Sequence, residues 1–79
     1  EPRGALAAGP QGLDDLAEIV AGAPARLIDG GWLLLEHGYD QAVAARSLLA
    51  DAGFAAIASW KDLAGIERVS GGRWLGRRG

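Results

Sequence analysis

The feature that most constrains the fold is a short apolar run, Trp-Leu-Leu-Leu-Glu at residues 32–36, flanked by Gly30-Gly31 and by Gly38. Its large apolar residues occupy successive positions and do not alternate with polar ones. Because the side chains of a strand point alternately to its two faces, this pattern is typical of a strand covered on both faces. Such strands occur mostly in α/β sheets with helices above and below. We therefore expect residues 32–36 to form an inner strand of an α/β fold.

Helical patterns stand before and after this strand. Residues 13–28 carry apolar side chains at spacings of three and four, which predicts a helix, and Pro24 predicts a kink or a separate short turn within it. Residues 40–52 show a second helical pattern, with Asp40 as a candidate N-cap. Gly53 suits the left-handed conformation that often ends a helix.

The remaining segments complete a small mixed sheet. Residues 54–60 and 66–74 predict two antiparallel strands joined by a short loop. Glycine and proline interrupt residues 1–12, which predicts a loop, and residues 75–79 predict a frayed tail. The sequence thus predicts an α/β fold with a three-stranded mixed sheet and two helices.

Length and composition exclude several classes of protein. A chain of 79 residues buries only about 60% of its unfolded surface, and without cysteine it has no disulfide or thiolate–zinc support. A net charge of −2 argues against a nucleic-acid partner. The longest uninterrupted hydrophobic run is far shorter than the roughly 18 residues of a membrane span, and no signal peptide precedes it. We therefore expect a globular, cytoplasmic protein that does not bind membranes.

The residues alone identify no catalytic, cofactor-binding or metal site. His37 is the only histidine, and it lacks the neighbouring nucleophile or orienting carboxylate that a catalytic base needs, since Glu36 would point to the opposite face. We interpret it as a strand-end residue with a hydrogen-bonded ring. The two glycine pairs lack the motifs that bind phosphates, and the aspartates lack metal-ligand spacing. The tryptophans are interpreted as core or edge cover; they are Trp32, Trp60 and Trp74.

Three segments together resemble a known family. They are Glu1-Pro-Arg-Gly-Ala-Leu followed by Gly12-Leu-Asp-Asp-Leu, then Gly30-Gly-Trp-Leu-Leu-Leu-Glu-His-Gly-Tyr-Asp-Gln41, and Asp62-Leu-Ala-Gly-Ile-Glu-Arg-Val-Ser-Gly-Gly-Arg-Trp74. In this order and spacing they resemble the C-terminal part of the HemK-type release-factor glutamine methyltransferases. The resemblance covers residues 1 to about 74.

The resemblance implies both a fold and an activity. The fold is the C-terminal portion of a class I (Rossmann-like) methyltransferase, in which the last strand of the hairpin lies between the other two and pairs with residues 32–36. The activity is S-adenosylmethionine-dependent methylation of the glutamine side-chain amide in the Gly-Gly-Gln motif of peptide chain release factors. The implied cofactor is S-adenosylmethionine, and the implied partner is a release factor.

The chain also departs from the family pattern. It contains neither the family's glycine-rich cofactor loop nor its Asn-Pro-Pro-Tyr motif, and the family's helical N-terminal domain is absent. No catalytic, cofactor-binding or metal-binding residue is therefore carried over, and we expect this chain alone to bind no cofactor. The remaining candidates match the loop after the missing motif, on the substrate side of the fold; they are Glu1, Pro2, Arg3 and Leu6.

The length supports the same interpretation. A βαβ unit takes roughly 30 residues, so a seven-stranded methyltransferase needs on the order of 180, more than twice this chain. Because the sequence starts at Glu1 without methionine, we expect a piece of a larger enzyme that is inactive alone. One alternative is a non-enzymatic module that docks a partner, or a second copy, through an open edge of the strand at residues 32–36. Another is a piece of a different class I methyltransferase that acts on nucleic acid or on a protein amide.

Overall fold

A computed structural model describes residues 4–7 and 12–76, with the backbone alone described at residues 4–7. Four strands, two α-helices and one short 3-10 turn follow one another along the chain. In chain order they are β1 (Gly4–Ala7), α1 (Leu13–Gly22), the 3-10 turn (Ala23–Ala25), β2 (Trp32–Glu36), α2 (Ala42–Asp51), β3 (Ala55–Lys61) and β4 (Glu67–Arg73).

The four strands form one mixed sheet in the order β1-β2-β4-β3. β1 runs parallel to β2, whereas β4 runs antiparallel to both β2 and β3. The last strand of the chain therefore lies between two earlier ones, and it pairs with Trp32–Glu36 along its length. This arrangement confirms the strand order that the family resemblance implies.

The first strand corrects two predictions. Residues 1–12 were expected to be a loop and the sheet to have three strands, but Gly4–Ala7 adds a fourth strand, with Gly4 opposite Trp32 and Ala7 opposite Leu35. An unpaired strand edge presents backbone N–H and C=O groups that need partners, and a short neighbouring segment supplies them. The edge of β2 that was expected to be open is therefore paired. Residues 1–3 and 8–11 of the predicted loop lie outside the described residues.

The helices are shorter than predicted. The helix expected at residues 13–28 ends at Gly22, and Pro24 lies in the separate 3-10 turn that its missing N–H favours. The helix expected at residues 40–52 spans Ala42–Asp51, and its N-cap is Gln41 instead of Asp40, without a side-chain cap hydrogen bond.

The strand that follows α2, which is β3, begins with an irregularity. Gly53 ends the helix region with φ = 93°, as its position predicted. Between the pairs Ala55–Arg73 and Ala58–Gly71, two residues of β3 lie opposite one residue of β4, which is a β-bulge. Ala56 lies in this bulge with φ = 53°, a conformation that is uncommon for a residue with a Cβ.

Both helices pack on the same face of the sheet. Leu33 and Leu35 are 2% and 0% exposed and form one apolar cluster with residues of both helices, chiefly Leu16, Val20, Ala45 and Leu49. We call this the helix-side face. The opposite face, which we call the open face, carries the apolar residues Trp32, Leu34, Ala58, Trp60 and Val69 together with Gly71, Glu36 and Arg73. Among the described residues the prediction of cover on both faces is wrong, because no helix packs on the open face.

Candidate functional site

The loop that follows β2 lies where ligands bind in sheets of this type. β1 and β2 are parallel, with Ala7 opposite Leu35, so their carboxyl ends meet at one edge of the sheet. Open α/β sheets bind ligands in the crevice outside the carboxyl ends of their strands. Residues 37–41 leave β2 at this edge, which makes them the candidate functional loop among the described residues.

Hydrogen bonds fix the shape of this loop. The Gly38 N–H donates to Gln41 Oε1 over 2.7 Å, and the Gln41 N–H donates to the Gly38 carbonyl over 3.1 Å. His37 Nδ1 lies 2.9 Å from the same Gly38 carbonyl. These contacts hold the loop closed while Tyr39, 70% exposed, and Asp40 face the solvent. The loop can therefore present two polar side chains in a fixed geometry.

A chain of polar contacts anchors the loop to the rest of the fold. His37 Nε2 lies 2.7 Å from Ser70 Oγ, and Ser70 Oγ lies 2.6 Å from Ser59 Oγ. Arg46 Nη1 donates to Ser59 Oγ over 2.6 Å and pairs with Glu67 Oε1 at 3.3 Å. The contacts therefore run from α2 through β3 and β4 to the end of β2.

The partners assign a direction to this network. The Gly38 carbonyl only accepts, so His37 Nδ1 donates and its Nε2 accepts from the Ser70 hydroxyl. Ser70 then accepts from the Ser59 hydroxyl, and Ser59 accepts from Arg46, which only donates. Each member of the chain is satisfied by this single arrangement.

Burial decides what the network can do. His37 is 1% exposed and Ser70 is 0% exposed, so their side chains cannot contact a substrate as a nucleophile and base would. No buried polar side-chain atom of the described residues lacks a hydrogen-bond partner. The network therefore positions the candidate loop, and the prediction that His37 is a strand-end residue with a satisfied ring is confirmed.

An open depression lies beside the loop, on the hairpin side. It is lined by Glu36, His37, Trp60, Lys61, Asp62, Arg68 and Val69. The Asp62 carboxylate accepts hydrogen bonds from the backbone N–H groups of Ile66 and Ala64 and pairs with Arg68 Nε at 3.4 Å. These contacts, the Ile66 N–H foremost, hold the pKa of Asp62 below its ordinary value of 3.8. Because these contacts close the turn of the hairpin, Asp62 serves the structure of the hairpin.

The candidate residues from the sequence are not brought together here. Glu1, Pro2 and Arg3 lie outside the described residues. Leu6 lies in β1, opposite Leu34 in the strand register. Trp74 packs against Phe54 with ring centroids 5.3 Å apart, which agrees with its interpretation as core or edge cover. Within the described part of the chain, no cluster of three or more His, Asp or Glu residues could hold a metal ion.

Sequence reasoning missed the His37–Ser70–Ser59 network. Successive side chains of β4 point to opposite faces of the sheet, so Arg68 and Ser70 lie on one face and Glu67 and Val69 on the other. This alternation is the only signal in the sequence for the side of the sheet on which Ser70 lies. The link to His37, 33 positions away, depends on the register of β4 with β2 and is not visible in the sequence.

Of the helices in residues 12–76, none is both long and apolar enough to cross a membrane.

Comparison with known proteins identifies close relatives. No family model matches the chain. The release factor glutamine methyltransferase of Pseudomonas aeruginosa is 57% identical over 74 residues, which are 94% of this chain and 27% of the relative. That of Burkholderia pseudomallei is 59% identical over 76 residues, which are 96% of this chain and 27% of the relative. The chain thus spans about a quarter of the length of the curated relatives it matches.

A solved structure agrees with the sequence comparison. The protein-(glutamine-N5) methyltransferase (release factor-specific) from Alicyclobacillus acidocaldarius superimposes with a TM-score of 0.65 at 31% identity, over 90% of this chain and 45% of that chain. The resemblance seen in the sequence is therefore confirmed at the level of both residues and fold. At high identity along nearly its whole length, and with an α/β fold that matches part of a methyltransferase, the chain is similar to about a quarter of the length of the release factor glutamine methyltransferases.

Proposed function

We propose that this chain is the C-terminal part of an S-adenosylmethionine-dependent enzyme of the cytoplasm that methylates the glutamine of the Gly-Gly-Gln motif in peptide release factors. The observation that carries the proposal is the identity of 57–59% over more than nine-tenths of the chain with relatives of that name. The chain covers 27% of those relatives, so the activity is proposed for the whole enzyme and not for these 79 residues alone.

The described residues do not fit S-adenosylmethionine by themselves. The depression beside Trp60 is open, and the Asp62 carboxylate in it is already bound by Arg68 and by two backbone N–H groups. His37 and Ser70 are buried and satisfied by each other. We therefore assign no cofactor contact to this chain and expect it to bind no S-adenosylmethionine alone.

A physical argument supports the expectation of inactivity. An amide nitrogen is a weak nucleophile, so methyl transfer to it requires that the amide be oriented against the methyl donor and separated from water. Such a site needs walls on several sides, whereas the described residues provide one loop, residues 37–41, at the carboxyl edge of a four-stranded sheet. The part proposed for this chain is to hold that loop in place.

The test uses a hybrid enzyme. The matched segment of the Pseudomonas aeruginosa relative is replaced by this chain, and the hybrid is compared with the chain alone. Each is incubated with a release factor and with S-adenosylmethionine that carries a labelled methyl group, and mass spectrometry locates the label. A release factor with Gly-Gly-Ala in place of Gly-Gly-Gln is the control.

The proposal predicts label on the Gly-Gly-Gln glutamine with the hybrid and no label above background with the chain alone. Label transferred by the chain alone would overturn the expectation of inactivity. A folded hybrid that leaves the release factor unlabelled would overturn the proposed function. Label on nucleic acid or on another protein amide would favour a different class I methyltransferase activity.

A further inference from the structure

We propose that Gln41 and Asp40 bind the main chain of the release factor, Gln41 as a hydrogen-bond donor to a peptide carbonyl and Asp40 as an acceptor from a peptide N–H. Both residues lie in the loop that follows β2, at the carboxyl edge of the parallel pair β1 and β2. The inference rests on the proposed function and deepens it, because it names the groups of this chain that recognise the substrate.

The side-chain amide of Gln41 is held in one orientation. The Gly38 N–H donates to Gln41 Oε1 over 2.7 Å. Because a backbone N–H only donates, the atom that faces it is the oxygen of the amide and not its nitrogen. Gly38 is itself fixed, since its carbonyl accepts from the Gln41 N–H and from His37 Nδ1. The loop therefore sets the position of Gln41 Nε2.

The amide nitrogen of Gln41 keeps its two N–H groups available. Nε2 makes no hydrogen bond to any residue that the structure describes. The residue is half-buried, yet no buried polar side-chain atom of the described residues lacks a partner, so Nε2 reaches the surface. Gln41 is also the N-cap of α2, and its side chain makes no capping hydrogen bond. A donor that is already held in place binds an acceptor at a lower entropic cost than a mobile one.

The Asp40 carboxylate supplies an acceptor beside this donor. A Cβ built on Gly38 would lie 3.2 Å from Gln41 Oε1 and 3.6 Å from Asp40 Oδ1. The two side chains therefore converge above Gly38, where glycine leaves room for them. Asp40 is exposed, and its carboxylate has no hydrogen-bond or ion-pair partner among residues 4–7 and 12–76. The loop thus presents a donor group and an acceptor group side by side.

A donor beside an acceptor matches the polar groups of a peptide main chain. Each residue other than proline offers one N–H donor and one C=O acceptor. The two glycines of a Gly-Gly-Gln segment carry no side chains, so an enzyme that selects this segment contacts its main chain there. The negative charge of Asp40 disfavours an anionic ligand at the same place. The chemistry of the pair therefore fits the glycine main chain of the release factor.

The experiment uses the hybrid with the Pseudomonas aeruginosa relative. Gln41→Glu keeps an oxygen for the Gly38 N–H and replaces the outward N–H groups with a second acceptor. Ser47→Glu is its control, because it adds the same charge on the exposed side of α2. Asp40→Ala removes the acceptor, and Asp51→Ala, exposed at the other end of α2, is the control for it.

Two quantities are measured for each variant. Titration calorimetry gives the Kd for two release factors, one with Gly-Gly-Gln and one with Gly-Gly-Ala, and thermal unfolding gives Tm. The second release factor separates main-chain binding from binding of the glutamine side chain. It keeps the two glycines and lacks the amide that accepts the methyl group.

The proposal predicts that Gln41→Glu raises Kd for both release factors by the same factor, about tenfold, because a hydrogen bond is lost and two acceptors then face each other. Asp40→Ala should raise both Kd values about three- to tenfold. Tm should stay at the value of the unsubstituted hybrid, and the two controls should leave Kd unchanged.

Three results would overturn the inference. A rise in Kd for the Gly-Gly-Gln factor alone would assign the pair to the glutamine side chain instead of the main chain. A rise in Kd that comes with a lower Tm in both variants would assign the two residues to the structure of the loop only. An unchanged Kd in a hybrid that labels the release factor would overturn the inference and leave the proposed function intact, whereas a folded hybrid without label overturns the proposed function itself.

Discussion

The two faces of the sheet are built by the same strands and yet differ in how completely they are closed. On the helix-side face Leu33 and Leu35 are 2% and 0% exposed, and a hydrogen-bonded polar network ends the core. On the open face Trp32 and Trp60 remain 37% and 46% exposed. The helices in residues 12–76 therefore cover one face of the sheet, while the strands carry apolar residues on both faces.

The largest expected effect contrasts neighbouring leucines of β2. Leu35→Ala removes a fully buried side chain from the helix-side cluster and should cost about 2–5 kcal/mol, enough to unfold a chain this small. Leu34→Ala removes a half-buried side chain from the open face and should cost about 1 kcal/mol. Urea titration followed by circular dichroism measures both. Equal costs would contradict the distinction between the faces.

A second contrast uses Gly71, the glycine of the open face in β4. Gly71→Ala places a Cβ 2.6 Å from Leu34 Cδ2 and 2.7 Å from the Leu33 carbonyl oxygen, and the backbone oxygen cannot move aside. We expect a loss of about 3 kcal/mol. Gly22→Ala is the control, because it meets nothing within 4 Å and should stabilise α1 by about 0.5–1 kcal/mol. The prediction fails if the unfolding midpoints of the two variants coincide.

The next largest effect on stability is expected in the His37–Ser70–Ser59 network, at the polar end of the helix-side face. Ser70→Ala removes a partner of Ser59 Oγ and leaves the buried His37 Nε2 without a hydrogen bond, at a cost of about 2 kcal/mol. Ser47→Ala, on the exposed side of α2, should change stability by less than about 0.5 kcal/mol. Chemical denaturation compares the two. A neutral Ser70→Ala would show that the network does not hold the loop after β2.

The smallest effect concerns the hairpin turn beyond the open face. The backbone N–H of Ile66, foremost among its partners, lowers the pKa of Asp62 below 3.8 in the folded state. The stability that the ionised Asp62 carboxylate contributes is therefore present above its ordinary pKa of 3.8 and is lost as the pH falls through the lowered pKa of the folded state. Asp62→Asn should flatten the decline of the melting temperature below about pH 4. Leu63→Ser, in the same loop, should keep the wild-type profile, and an unchanged profile in Asp62→Asn would contradict the assignment.

Much of the fold could be predicted from local patterns. The run at residues 32–36 forms β2 with the predicted bounds, Gly53 takes a left-handed conformation, and Pro24 separates a short turn from α1. These features follow from the covalent properties of single residues and from side-chain periodicity. The position of β4 beside β2 came from the family resemblance, because no local pattern specifies which strands pair.

The errors have non-local causes. Gly4–Ala7 carries only a weak strand signal, and its strand conformation depends on the unpaired edge of β2, 28 positions away in the register. Asp40 is a good N-cap by type, but the hydrogen bonds between Gly38 and Gln41 place the N-cap of α2 one residue later in the chain, at Gln41. The candidate site was missed for the same reason, since His37 and Ser70 meet only after the sheet has formed.

The central claim is that the helices of this chain close one face of its sheet and that, in the hybrid, residues of the Pseudomonas aeruginosa relative close the other. Hydroxyl-radical footprinting with mass spectrometry tests it most directly, because it measures the oxidation of each tryptophan separately. In the hybrid, Trp60 should be oxidised much more slowly than in the chain alone, while Trp74, already packed on Phe54, should be oxidised at an unchanged rate. Equal oxidation of Trp60 in the two proteins would contradict the claim.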